Sequence, residues 1–114
     1  MIQTSFHTEI ERNPKRVHTK LILETAFTKE IRIHLGAGQS MKDHRAPSPI
    51  IVHVLEGEIE FGVDGQTYNL TKGSILSLDG GIAHNLFAKS ESMVRLTLSK
   101  VDSAERVAKV VDNS

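Results

Sequence analysis

From residue 20 onward, apolar and polar positions alternate in short runs separated by turn residues, at roughly the 8 to 12 residue spacing of an antiparallel sandwich or barrel. The pattern predicts strands at "KLILET", "KEIRIHL", "IIVHVLE", "EIEFGV", "QTYNL", "SILSL", "HNLFA" and "MVRLTLS", and the fold class that follows is all-β. Asp64-Gly65 separates two of these runs and predicts a tight type I′ hairpin, because glycine accepts a positive φ without a Cβ clash. Within "EIEFGV", Glu58 and Glu60 alternate with Ile59 and Phe61, so one face of that strand is wet and the other belongs to the core.

The two ends of the chain read differently. Residues 1–19 are polar, contain Pro14 and carry little strand signal; they are expected as an extension that drapes over the sheet or crosses to a neighbouring subunit. In the tail 101–114, Asp102 and Glu105 have the arrangement of a capping box, and Val107, Val110 and Val111 fall at helical spacing, which predicts a short C-terminal helix. The barrel proper is expected over residues 20–100.

At 114 residues with 39% hydrophobic content, the chain suits one domain with a single core. Fourteen basic residues balance fourteen acidic ones, so no long-range field draws in nucleic acid or an anionic membrane. The scattered Phe6, Phe27, Phe61, Phe87 and Tyr68, without basic residues interleaved, likewise argue against a stacking surface for nucleic acid. No run approaches the roughly 20 apolar residues of a membrane span, and the amino-terminal stretch lacks a signal-peptide core. A soluble cytoplasmic protein is the expectation. The absence of cysteine removes thiolate chemistry and leaves histidine and carboxylates as candidate metal ligands.

Six histidines stand in a chain with one tyrosine and no tryptophan. His7 and His18 lie in the polar extension, where a solvated ring is the plain expectation. His34 alternates with Arg32 opposite Ile31, Ile33 and Leu35, which predicts a surface or interface position. His44 follows the glycine-containing stretch "GAGQSMKD" and precedes the stiff "RAPSP", and His84 follows the turn "DGGIA". Two histidines so placed on different strands can converge inside a barrel, where neutral imidazole is an ordinary ligand for a divalent Zn, Fe, Ni or Mn ion. No serine sits on a recognisable nucleophile elbow, which disfavours a hydrolytic triad.

Residues 38–84 resemble the two sequence motifs of the cupins, small jelly-roll β-barrels. In the first motif Gly38, His44 and Gly57 fall in register, whereas Ala46 and Ile50 stand where the family has a second histidine and a glutamate. In the second, Gly73, Gly81 and His84 fit, with Asp79 and Ala88 replacing a proline and an asparagine. The resemblance implies a cupin jelly roll with His44 and His84 at metal-ligand positions facing a small-molecule pocket. It also implies metal-dependent oxygenase, isomerase or decarboxylase chemistry, or else a non-catalytic, sensor-type barrel with a degenerate site. A pair of histidines merely hydrogen-bonded within the barrel remains open beside the metal site.

His53 is a candidate third ligand. Counting alternately from Ile50 turns it outward, whereas counting back from Glu60, Glu58 and Glu56 turns it inward, and a bulge near Gly57 reconciles the two. The expected partners are a small-molecule ligand and a second copy of the chain in a homodimer, since small jelly rolls expose strand edges that must be covered.

Overall fold

The computed structural model describes residues 1–10 and 15–100. Among them the chain is all-strand, as the alternation predicts: β1 (His18–Glu24), β2 (Thr28–Leu35), β3 (Ser40–His44), β4 (Ile50–Glu56), β5 (Glu58–Val63), β6 (Gln66–Thr71), β7 (Ile75–Leu78), β8 (His84–Ala88) and β9 (Ser92–Ser99). The larger sheet runs β1-β2-β9-β4-β7 and the smaller β3-β8-β5-β6, with every pairing antiparallel. The expected C-terminal helix lies outside the described residues.

Each strand sends alternate side chains to the space between the sheets. Ile33, Leu35, Ile50, Val52, Val54 and Val94 come from the larger sheet, and Ile59, Phe61, Leu86 and Ala88 from the smaller. Together they form one buried apolar cluster, and burying a side chain of this kind stabilises the fold by roughly 1.5–3 kcal/mol. Phe61 is its only aromatic. The hairpin at Asp64-Gly65 takes positive φ at both residues, 52° and 73°, which is the type I′ requirement.

Two departures from the sequence pattern matter. Strand β3 escapes the alternation rule: "SMKDH" is polar and mostly exposed because β3 is an edge strand, paired with β8 alone. The other departure is the outer face of β2, where Glu30, Arg32 and His34 are buried at 6%, 0% and 6% exposure, correcting the surface position expected for His34. Residues of the amino-terminal segment cover Arg32, whose guanidinium donates to the carbonyls of Phe6 (2.9 Å), Thr8 (2.6 Å) and Glu9 (3.0 Å). His34 Nε2 lies 3.4 Å from a Glu91 carboxylate oxygen. The segment thus drapes over its own sheet, and the polar residues under it are buried because they have partners.

The turn from β4 to β5 is fixed by Gly57, at φ +86°, where an added Cβ would run into Ser92 Oγ and the Glu91 carbonyl. At Gly81, φ is +83° but an added Cβ would meet nothing within 4 Å. Gly57→Ala is therefore expected to lower unfolding free energy by about 2–4 kcal/mol, combining backbone strain with overpacking. Gly81→Ala should cost only about 1–2 kcal/mol. Chemical denaturation of both variants checks the order, and equal losses would contradict it.

Candidate functional site

His44 ends β3 and His84 begins β8, and the two are cross-strand partners. Regular alternation would not aim both inward. Leu86 and His84 face the core from β8, and Met41, the partner of Leu86, packs on the core from β3. Three positions separate Met41 from His44, so strict alternation would point His44 outward. A register shift between Met41 and His44 inserts one extra residue and turns the imidazole in beside His84. On the outer face the same irregularity is tied down by a 2.6 Å hydrogen bond from Asn85 Nδ2 to Asp43 Oδ1.

The two rings meet edge to face, with centroids 4.2 Å apart and planes at 62°. Phe61 stacks on the other side of His84 at 5.6 Å and 20°. Each imidazole is oriented by a carbonyl two residues earlier: Nδ1 of His44 lies 3.2 Å from Lys42 O, and Nδ1 of His84 lies 3.0 Å from Ile82 O. A carbonyl only accepts, so Nδ1 donates in both rings and Nε2 is the nitrogen left for a ligand. His84 is 2% exposed. Burial holds its pKa below the ordinary value and the neighbouring His44 adds to that, while the Ile82 carbonyl and Asp43 oppose the shift. Its resting form at neutral pH is therefore an uncharged ring with Nε2 as an acceptor.

The connections 45–49 and 79–83 cross this end of the sandwich together. Gly81 N–H donates to Ala46 O at 2.7 Å, and Arg45 Nη1 donates to Gly81 O at 2.8 Å. Gly80 lies so close to the first connection that an added Cβ would stand 2.6 Å from Pro47 O. Val63, paired with His84, and Ala46, Leu78 and Leu98 are partly buried apolar neighbours of the core at this end. Beside it, a cleft of about 570 Å³ is lined by Asp43, Arg45, Asp64, Gln66, Thr67 and Asn85, polar residues whose spacing along the chain does not mark a shared opening.

His53 does not join the pair. Ile50, Val52 and Val54 of β4 are core residues, and His53 alternates with them onto the opposite face. The bulge lies between Val54 and Glu56, after His53, so the count from Ile50 holds and the count from Glu60, Glu58 and Glu56 is shifted by one. His7 and His34 are also apart from the site, near Glu56 and Glu91 respectively.

The model of the family described as "Cupin domain" matches residues 31–100. The chain belongs to the cupin family. Its fold is similar to that of an RmlC-like cupin from Desulfovibrio desulfuricans, with a TM-score of 0.78 and 24% identity over 87% of this chain and 97% of that one. It is also similar to the KdgF protein of a Halomonas species, with a TM-score of 0.69 and 17% identity over 78% and 83% of the two chains. A third likeness is an RmlC-like cupin from Shewanella frigidimarina, at 0.73 and 21% over 85% and 87%. At such identities the likeness shows the fold alone. No curated protein matches the chain.

Cupins often hold a metal ion, and the donor set here can be tested against one. A protein-held ion of the zinc or iron type takes at least three side-chain ligands. At the remaining ligand positions this cupin carries the methyl group of Ala46 and the side chain of Ile50, which is 3% exposed within the apolar core. Among the described residues there is no group of three or more His, Cys, Asp or Glu placed to hold a metal. The described residues therefore do not fit a resident ion; they supply two imidazoles and an apolar wall.

Two predictions follow from this geometry. Because the folded-state pKa of His84 is depressed below its ordinary 6.5, the unfolded chain takes up the proton first. The stability contributed by His84 is thus present above about pH 6.5 and is lost as pH falls toward the lower folded value. In thermal unfolding at stepped pH, His84→Gln should lose part of the parent's decline below that point; an unchanged profile would show that His84 is not desolvated. Second, Ala46→His combined with Ile50→Glu should rebuild a four-ligand shell. Without metal the double variant should be about 2–5 kcal/mol less stable than the parent, and zinc or nickel should raise its melting temperature by mass action. A destabilised variant that ignores both ions would mean that the four positions do not converge.

Proposed function

We propose that this cupin binds a small organic molecule carrying a hydroxyl or an enolisable carbonyl at the end of its barrel, directly on His44 and His84, with no resident metal. The observation that carries the reading is the fixed tautomer pair: both Nδ1 atoms lie within reach of carbonyls, and both Nε2 atoms are left for a ligand. A neutral His84 accepts a hydrogen bond from a ligand hydroxyl. The His44 ring, with its centroid 4.2 Å away, acts with burial to keep His84 uncharged, so that its Nε2 is held as an acceptor. The apolar neighbours Val63, Ala46, Leu78 and Leu98 suit the carbon skeleton of such a molecule.

Proton transfer is the second reading. A buried, uncharged imidazole beside another titratable ring is suited to removing a proton next to a carbonyl, which would make the protein an isomerase-type enzyme rather than a binding module. The two-donor set favours either of these over metal-dependent oxygenase or decarboxylase chemistry.

The test uses untagged protein. Metal content should be far below one ion per chain, and titration with glycerate, malate and 2-oxoglutarate, followed by histidine ring NMR, should move the His44 and His84 signals for at least one of them. His84→Ala should weaken that binding by about tenfold or more, the equivalent of about 1.4 kcal/mol. Deuterium exchange at the carbon next to the ligand's carbonyl would establish the proton-transfer reading, and binding without exchange the binding module. One metal ion per chain, lost from the His44→Ala, His84→Ala variant, would overturn the proposal.

A further inference from the structure

The inward face of β2 is apolar at Ile31, Ile33 and Leu35, and the next position on that face toward the start of the strand is Lys29. The strand registers place Glu24, Lys29, Leu98, Ile50 and Leu78 in one row across β1, β2, β9, β4 and β7. Ile50 belongs to the core and Leu98 and Leu78 pack against it, so their cross-strand neighbour Lys29 shares the inner face. The row lies at the end of the sandwich that holds the histidine pair. Residues 45–49 lead from His44, the last residue of β3, to Ile50, the first of β4.

A cleft of about 420 Å³ opens there between residues 46–48 and the larger sheet, lined by Glu24, Lys29, Ala46, Ser48, Leu98 and Lys100. Ala46 links it to the histidines: it borders the cleft, packs against the core and stands two residues from His44. Two of the three charged groups are already paired. Lys100 Nζ lies 2.7 Å from a Glu24 carboxylate oxygen and donates to Thr25 O at 2.6 Å. The hydrogen bond and charge of Lys100 hold the Glu24 carboxyl below its ordinary range, so the pair is neutral at neutral pH. Among the described residues no hydrogen bond or ion pair holds the Lys29 ammonium, and one positive charge is left over.

We propose that the ligand of this site carries a carboxylate, bound by Lys29 in the cleft, while its hydroxyl or carbonyl reaches His84 past Ala46. This carboxylate arm rests on the ligand proposed for His44 and His84 and narrows it to hydroxy and oxo acids. Charge selects the class. A single uncompensated ammonium balances a monoanion, whereas a phosphate dianion would leave a negative charge without a partner. The flexible four-carbon stem lets the ammonium follow the acid, and the apolar side chains of Ala46 and Leu98 exclude water and strengthen the attraction.

The test compares glycerate, malate and 2-oxoglutarate with their uncharged methyl esters, using calorimetry for affinity and the His44 and His84 ring signals for position. The acid that binds should bind the parent about tenfold more tightly than its ester. Lys29→Gln should weaken that acid about tenfold, equivalent to about 1.4 kcal/mol, and leave the ester unchanged. Lys29→Arg keeps the charge and should retain most of the affinity. Lys72→Gln removes an equal charge beside Glu56 and should alter neither ligand. The proposal is overturned by an acid that ignores Lys29→Gln, by acid and ester weakening together, or by an equal loss in Lys72→Gln. Failure of all three acids to bind, or stronger displacement by inorganic phosphate than by acetate, overturns it too. Ester-induced shifts of both rings that persist in Lys29→Gln, with the acid unaffected, would leave the histidine reading standing and remove Lys29 alone. Charge-selective binding that is lost in Lys29→Gln but never moves the ring signals would keep the carboxylate on Lys29 and overturn the histidine reading instead.

Discussion

Ile33, Val52, Val54 and Val94 of one sheet close against Ile59, Phe61, Leu86 and Ala88 of the other, and this contact constrains everything else in the molecule. Neither sheet has a second apolar layer to fall back on, so each inward position must be apolar or must bring its own hydrogen-bond partner. The constraint explains why Ile50 fills a position where the family's glutamate would stand. It also explains why the two inward histidines lie at the strand ends, where the connecting segments supply carbonyls from Lys42 and Ile82.

The site depends on one irregularity. A β3 of perfect alternation would aim His44 outward, leaving His84 as a lone buried imidazole against Phe61. The extra residue between Met41 and His44 brings the second ring to 4.2 Å, and the Asp43–Asn85 hydrogen bond on the outer face holds it there. A bulge here changes chemistry as well as shape: it converts a satisfied core histidine into half of a pair. Proximity of the two rings then acts with burial to keep His84 uncharged.

Much of the architecture was legible in the chain because alternation is strong wherever a strand has one buried face. Strands such as "IIVHVLE" and "EIEFGV" declare themselves in this way, and Asp64-Gly65 declares its turn. Strand β3 was illegible for the complementary reason: an edge strand with polar residues on its outer side has only Met41 and His44 to show, at a spacing that a bulge has altered. The same mechanism governed His53, whose side could not be settled while the bulge could lie on either side of it. His44 and His84 were identified through motif resemblance, yet the effect of losing Ala46 and Ile50 as donors could be judged only once Ile50 was seen inside the core. The burial of Arg32 and His34 was hidden because alternation reports two faces of a strand and is silent about a roof supplied by residues more than twenty positions away.

That roof gives the molecule its asymmetry. The fully buried guanidinium of Arg32 is held by charge-assisted hydrogen bonds from its two terminal nitrogens to three carbonyls of the amino-terminal segment lying across β2, with the Glu9 carboxylate near enough to feel its charge, while its Nε has no partner. Arg95 is held differently, by Glu30, whose carboxyl is kept below its ordinary pKa because hydrogen bonds from Arg95, Thr97 and Thr28 outweigh the opposing cost of burial. The segment's contacts end at β9, where the Phe6 ring meets Arg95, and on β4 the shielded Nδ1 of His53 is left without a hydrogen-bond partner. The apolar remainder of that face, with Ile51 38% and Ile75 63% exposed, lies beyond the reach of the segment, because the contacts that hold the segment down are made on β2 and β9.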